Sequence, residues 1–127
     1  MKNVLVTGAS GFIGIHLCQH LRKRGYRVRA LIRTRHRDLS TYKFWDDAFS
    51  VELGEEPLPL HLMDGIDTVF HLAGVAHSER PIASMEEVYW AVNLRATEEL
   101  LQNALAARVG RFVFFSSVKA VACPPED

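Results

Sequence analysis

The stretch that decides the fold is VTGASGFIGIHL, residues 6–17. It joins an apolar, β-branched run over residues 3–7 to a segment whose apolar side chains recur at helical spacing. Gly8, Gly11 and Gly14 follow one another at steps of three residues across this junction. A glycine permits the sharp turn out of the strand, lets a phosphate approach the backbone and allows the helix to pack closely.

We therefore predict that this loop holds the diphosphate of a dinucleotide on backbone N–H groups at the start of the helix, where the helix dipole favours an anion. The residues expected to contact the dinucleotide here are Gly8, Ser10, Gly11, Phe12, Ile13 and Gly14.

Strands and helices alternate along the rest of the chain. The predicted strands are residues 3–7, 27–33, 49–53, 67–72 and 111–116, and the predicted helices are residues 12–24 and 84–107, with at most a turn or two near 58–63 and a loop with a short helix over 34–48. Strands that are apolar on both sides indicate a parallel sheet covered on both faces. Right-handed crossovers then predict a Rossmann-type, doubly wound α/β fold with the strand order 3-2-1-4-5, ending after strand five, as one domain over residues 1–127.

Composition excludes several classes of function. The formal net charge is zero, with 48% hydrophobic and 24% charged residues, which argues against general binding of nucleic acids or membrane surfaces. No apolar run approaches the roughly 20 residues of a membrane span. Cys18 and Cys123 are predicted to be free thiols, as expected for a cytoplasmic protein. The basic side chains crowded between Arg22 and Arg37 are interpreted mainly as a solvated face.

The motif TGASGFIG, residues 7–14, resembles the extended branch of the short-chain dehydrogenase/reductase superfamily, the NAD-dependent epimerases and dehydratases of nucleotide sugars. Three further segments resemble that family: DTVFHLAG at 67–74, NLRAT at 93–97, with Ala96 in place of glycine, and FFSS at 114–117.

This resemblance implies the remaining site residues. Glu52 and Leu53 would contact the adenine, and Leu72, Ala73 and Gly74 would line the ribose and diphosphate. Ser116 would contact the cofactor, and Ser117 would be the catalytic hydroxyl. Asn93, a poor helix former within a predicted helix, is expected to be buried and to support the cofactor site. His77 follows a strand end, where α/β ligands bind, and is a candidate for cofactor or substrate contact.

The second strand indicates which dinucleotide is bound. NAD-preferring domains carry an acidic residue at its end, but here Ile32 fills that position and Arg33 follows it. A guanidinium can pair with a 2′-phosphate, so the cofactor is expected to be NAD or NADP, with NADP favoured. The alternative is that Arg33 stacks on the adenine or points to solvent.

The family's catalytic tyrosine and lysine stand in a Tyr-x-x-x-Lys motif, and none of Tyr26, Tyr42 and Tyr89 is followed by Lys four residues later. We therefore expect this chain to be the N-terminal, NAD(P)-binding part of a longer nucleotide-sugar enzyme, without turnover of its own. The longer enzyme would be a homodimer, whereas this part could be a monomer. The alternatives are an NADP-dependent reductase of a small carbonyl compound and a non-catalytic dinucleotide sensor.

His16 and His20 are expected to face solvent rather than to bind a metal.

Overall fold

The computed structural model describes residues 2–33, 44–73 and 90–115. In chain order the elements are β1 (Asn3–Thr7), α1 (Phe12–Lys23), β2 (Arg27–Ile32), β3 (Asp47–Ser50), β4 (Thr68–His71), a π-helical turn (Trp90–Arg95) that runs into α2 (Ala96–Ala106), and β5 (Arg111–Phe114). Residues 60–65 form turns rather than a helix.

The five strands form one parallel sheet in the order β3-β2-β1-β4-β5. This confirms the predicted Rossmann-type α/β fold and the predicted strand order. Because β1 lies in the centre, its carboxyl end has β2 on one side and β4 on the other. The loops that follow these neighbouring strands therefore meet at one edge of the sheet.

Each face of the sheet carries its own hydrophobic core, because successive side chains of a strand point to opposite sides. On one face, Val4 and Val6 pack with Val28, Cys18 and Leu21, so α1 covers that side. On the other face, a second cluster joins the sheet to α2 and to the turns before β4; it contains Leu5, Leu31, Val51, Leu62, Met63, Ile66, Val69, Leu100 and Ala104. Burial raises the pKa of the Cys18 thiol to about 12, which keeps this free cysteine protonated.

The third strand lies earlier in the sequence than predicted: it covers Asp47–Ser50 instead of residues 49–53. Two carboxylates set its start. Asp46 Oδ2 accepts the Val28 N–H at 2.8 Å, and the Arg29 guanidinium donates to Asp47 Oδ2 at 3.1 Å. After the strand, the Glu52 N–H donates to the side chain of Glu56, at 2.8 Å from Oε1.

The helices differ from the prediction in two respects. Ile13 stands at helical spacing from the apolar Leu17 and Leu21 in the sequence, but its side chain is 60% exposed. In the second helix Ala96, Leu100 and Ala104 are buried, as their spacing predicts, although the regular helix begins only at Ala96, after the π-helical turn. The parts of the predictions that concern residues 34–43 and 84–89 lie outside the described residues.

Three strands are shorter than predicted: β2, β4 and β5 end at Ile32, His71 and Phe114.

The basic stretch has more than one role in the fold. Arg22, Lys23, Arg24 and Arg27 are exposed, as predicted for a solvated face. Arg29 is mostly buried: its Nη1 donates to the carbonyls of His61, Leu62 and Asp64, and its guanidinium lies 5.4 Å from the Phe49 ring centre. This arginine therefore ties β2 and β3 to the turns that precede β4. In the ranges described, no helix has the length and apolar character needed to cross a membrane.

Adjacent leucines of α2 provide a test of the second core. Leu100 is fully buried, whereas Leu101 is 41% exposed. We expect Leu100→Ala to lower the free energy of unfolding by about 2–5 kcal/mol, because it leaves a cavity between α2 and the sheet. Leu101→Ala removes the same atoms from a partly exposed position and should lower the free energy of unfolding by less, by about 1 kcal/mol or below. Urea denaturation of both variants measures the difference, and equal losses would contradict this packing.

Candidate functional site

The carboxyl ends of four strands surround a cleft of about 240 Å³. Its walls come from the loop after β1 and from the residues at the ends of β2, β3 and β4. The lining residues are Gly8, Ser10, Gly11, Leu31, Ile32, Arg33, Val51, Glu52, Leu53, Leu72 and Ala73. The cleft therefore lies where ligands of open α/β sheets bind, outside the carboxyl ends of the strands.

The glycine loop has the backbone geometry that its sequence predicts. Gly8 has a φ of +66°, and a Cβ there would lie 2.8 Å from the Ala73 nitrogen. A Cβ at Gly14 would lie 2.1 Å from the Gly8 carbonyl oxygen, so any side chain would push α1 away from the loop. At Gly11 a Cβ would meet only the Gly8 oxygen, at 3.3 Å. Gly8 and Gly14 are thus required by packing, whereas Gly11 keeps the cleft open.

The start of α1 is electrostatically suited to an anion. Gly11 is the N-cap residue, no side chain caps the helix, and no acidic residue lies in its first turn. The first N–H groups of a helix have no partner within the helix and carry the positive end of its dipole. A phosphate at this end of α1 would accept hydrogen bonds from them.

A charged pair stands across the cleft. Arg33, at the end of β2, places its Nε 3.7 Å from Glu52 Oε1, after β3. Both side chains are partly exposed, and solvent therefore weakens their attraction. The two residues follow different strands, β2 and β3, so the sheet brings the guanidinium and the carboxylate together.

His71 is the last residue of β4. Its side chain is fully buried. Nδ1 lies 2.6 Å from Thr7 Oγ1, and Nε2 lies 2.7 Å from Thr97 Oγ1. The ring also lies near two phenylalanines of β5, at centroid distances of 6.1 Å from Phe112 and 5.6 Å from Phe114. Burial lowers the pKa of His71 to about 4, because the charged form would lose its hydration. His71 is therefore a core histidine with a hydrogen-bond partner at each ring nitrogen.

The cleft brings together most of the predicted contact residues, namely Gly8, Ser10, Gly11, Arg33, Glu52, Leu53, Leu72 and Ala73. Phe12 and Ile13 are strongly exposed at the start of α1 and do not line it. Asn93 was expected to be buried in a regular helix, and this is wrong: it is exposed and lies in the π-helical turn. Its burial was inferred from a poor helix former standing within a predicted regular helix, and a π-helical turn takes the place of that helix here. Gly74, His77, Ser116 and Ser117 lie outside the described residues.

The apolar lining of the cleft and one polar residue behind it were not predicted from the sequence. Leu31, Ile32 and Val51 contribute to the wall. Thr7 is fully buried, and its Oγ1 accepts the N–H groups of Leu72 and Ala73, both at 3.1 Å. A polar residue at the end of an otherwise apolar strand was the signal that could have drawn attention to Thr7.

The fold and the cleft together define a dinucleotide-binding α/β class. Residues 4–127 match the NAD dependent epimerase/dehydratase family, and the chain belongs to this family. It is similar to a putative dihydroflavonol 4-reductase of Synechocystis, with 34% identity over 91% of this chain and 33% of the relative. It is also similar to a 3 beta-hydroxysteroid dehydrogenase/Delta 5-->4-isomerase of Mycobacterium tuberculosis, with 34% identity over 95% of this chain and 33% of that protein.

The fold is similar to that of MoeE5, solved in complex with UDP-glucose and NAD. The TM-score is 0.73 at 33% identity, and the match covers 92% of this chain and 37% of that one. The chain spans about a third of the length of the curated relatives that it matches.

The low pKa of His71 predicts how stability depends on pH. Between pH 6.5 and about 4 the unfolded chain binds a proton at His71 that the folded chain does not, so stability falls as the pH is lowered through this interval. The contribution of His71 is on the order of 3 kcal/mol. We expect urea denaturation to show a clearly smaller loss in His71→Asn than in the wild type.

The matched control is His61→Asn, because His61 is exposed. Its pH dependence should follow that of the wild type, because the substitution leaves the buried His71 ring and its hydrogen-bond partners unchanged. Parallel pH profiles for the wild type and His71→Asn would show that His71 does not resist protonation in the fold.

Proposed function

We propose that this chain binds NAD or NADP in the cleft at the carboxyl ends of β1–β4, as the dinucleotide-binding part of an oxidoreductase-type enzyme. The observation that carries the proposal is the glycine loop, which opens the cleft at Gly11 and brings the uncapped start of α1 to its edge. These residues fit a diphosphate, because a cradle of backbone N–H groups without side chains lets the phosphates approach closely.

The adenosine half of the dinucleotide would lie along the ends of β2 and β3. Leu31, Val51 and Leu53 provide an apolar wall for the adenine, and Arg33 and Glu52 provide polar groups near the ribose. Leu72 and Ala73 would bound the diphosphate from the β4 side. Gly74, Ser116 and Asn93 are proposed to extend these contacts toward the nicotinamide.

The substrate of the longer enzyme is proposed to be a nucleotide sugar. Support comes from the MoeE5 structure, whose description includes UDP-glucose together with NAD. The alternative substrate is a small carbonyl or hydroxyl compound, which the similarity to a putative dihydroflavonol 4-reductase favours. His77 is the proposed substrate contact in both cases.

Bound nicotinamide supplies the hydride-transfer chemistry. In this chain Ser117 is the proposed hydrogen-bond partner of the reacting hydroxyl or carbonyl oxygen. A general acid or base is also required, and no tyrosine of the sequence is followed by the lysine that would lower its pKa. We therefore propose that the 127-residue chain binds the dinucleotide without turnover, and that the longer enzyme acts as a homodimer. Hydride transfer by this chain with any nucleotide sugar would refute the first part.

A series of glycine variants tests the proposed site. Gly11→Ala adds a methyl group at the edge of the cleft, 3.3 Å from the Gly8 carbonyl oxygen, so the affinity for NAD should fall by at least about tenfold with only a small loss of stability. Gly14→Ala forces α1 away from the Gly8 carbonyl and should lower the free energy of unfolding by about 1–3 kcal/mol. Isothermal titration with NAD and NADP, together with urea denaturation, measures both quantities.

Gly110→Ala is the control, because its Cβ would meet the Asp67 carbonyl oxygen at an ordinary 3.5 Å. It should change neither affinity nor stability appreciably. A wild-type chain that binds neither NAD nor NADP at low salt would refute the proposed function. If Gly11→Ala kept the wild-type affinity, the diphosphate would not bind at the glycine loop.

The pair of Arg33 and Glu52 is proposed to set the preference between the two dinucleotides. A 2′-phosphate on NADP must compete with Glu52 for the guanidinium. Glu52→Gln should therefore improve binding of NADP relative to NAD by about threefold to tenfold, and Arg33→Gln should shift the ratio toward NAD by a similar factor.

Titrations at low salt measure both ratios. Glu55→Gln is the control, since it removes one exposed negative charge close to Glu52 in the chain without removing the partner of Arg33. A wild-type affinity for NAD at least about tenfold above that for NADP would contradict the proposed preference for NADP.

A further inference from the structure

The buried ring of His71, the last residue of β4, connects its own strand with β1 and α2. Its two nitrogens lie within hydrogen-bond distance of Thr7 on β1 and Thr97 on α2, while His71 itself belongs to β4. Both neighbours are hydroxyls, which can donate or accept. The direction of each hydrogen bond therefore follows from the other partners of the two threonines.

The other hydrogen bonds of Thr7 determine which atom donates in its bond with His71 Nδ1. Its Oγ1 accepts the N–H groups of Leu72 and Ala73, both at 3.1 Å. A hydroxyl has two lone pairs and one hydrogen, so these bonds use both lone pairs. The hydrogen of Thr7 must then point to His71 Nδ1, at 2.6 Å, and Nδ1 must be the acceptor.

The other side follows from this assignment. With Nδ1 unprotonated, a neutral His71 carries its hydrogen on Nε2 and donates it to Thr97 Oγ1 at 2.7 Å. Thr97 in turn donates its hydroxyl hydrogen to the Asn93 carbonyl, at 3.0 Å. The hydrogen bonds thus run in one direction, from the Leu72 and Ala73 amides to the π-helical turn.

We propose that His71 is a positioning residue, which as the neutral Nε2–H tautomer holds the Leu72–Ala73 backbone of the cleft in a fixed position relative to the π-helical turn at Asn93. The effect on ligand binding rests on the proposed function of the cleft. The Ala73 nitrogen is bound by Thr7 and is also the atom that a Cβ at Gly8 would meet, at 2.8 Å. A displacement of Ala73 would therefore alter the glycine loop.

Two conservative variants separate the two sides of the ring. In His71→Asn the amide oxygen can take the place of Nδ1 and accept from Thr7. In His71→Gln the amide nitrogen can take the place of Nε2 and donate to Thr97, which leaves the buried Thr7 hydroxyl without an acceptor. We expect His71→Asn to keep the affinity for NAD within about threefold of the wild type, and His71→Gln to lose about tenfold or more.

Val69→Ala is the matched control, because Val69 is fully buried in the same strand and belongs to the core on the α2 face. It lowers stability without touching the hydrogen bonds of His71, so its affinity for NAD should stay within about threefold of the wild type. If a loss of NAD affinity came only from lower stability of the fold, Val69→Ala would show the same loss.

A long-range ¹H–¹⁵N NMR spectrum of the wild-type 127-residue chain at pH 7 tests the tautomer without any substitution. We expect a protonated Nε2 and an unprotonated Nδ1. A proton on Nδ1, or on both nitrogens, would overturn the proposal, and so would equal losses of NAD affinity in His71→Asn and His71→Gln. If the wild type bound neither NAD nor NADP, the proposed function would fail, and the tautomer would still decide whether the hydrogen bonds run as inferred.

Discussion

The close approach of α1 to the carbonyl of Gly8 is the contact on which the cleft depends. A Cβ at Gly14 would lie 2.1 Å from that oxygen, so the helix can rest on the loop only because residue 14 is glycine. This contact brings the start of α1 to the carboxyl end of the central strand. The dipole of the helix and the edge of the sheet thereby face the same cleft.

The wall of the cleft that follows β4 is held in place by hydrogen bonds between polar groups, whereas the wall at the loop after β1 depends on glycine. Thr7 binds the two backbone amides that follow β4, and His71 binds Thr7 in turn. An unpaired polar group at this depth would destabilise the fold, which makes the geometry of these bonds restrictive. A buried histidine that the core alone would not require is therefore connected through Thr7 to the backbone that lines the cleft.

The glycine loop and the strand order could be predicted because they depend on local patterns and on the handedness of crossovers. The third strand could not be placed correctly. Its start is set by Asp46 and Asp47, which bind Val28 and Arg29 on another strand, and no local period contains those contacts. The same holds for Asn93, because a π-helical turn shifts the faces of the helix without changing the composition around it.

The sequence alone determined the α/β class, the position of the phosphate-binding loop and the family to which the chain is similar, because glycine spacing and apolar runs act over short distances along the chain. Tertiary structure decided which polar groups meet. The pairing of Arg33 with Glu52, and the hydrogen bonds of His71 with Thr7 and Thr97, join residues brought together by the sheet register and by the packing of α2. Such partners are separated by many residues in the chain, so only the folded backbone sets their distances.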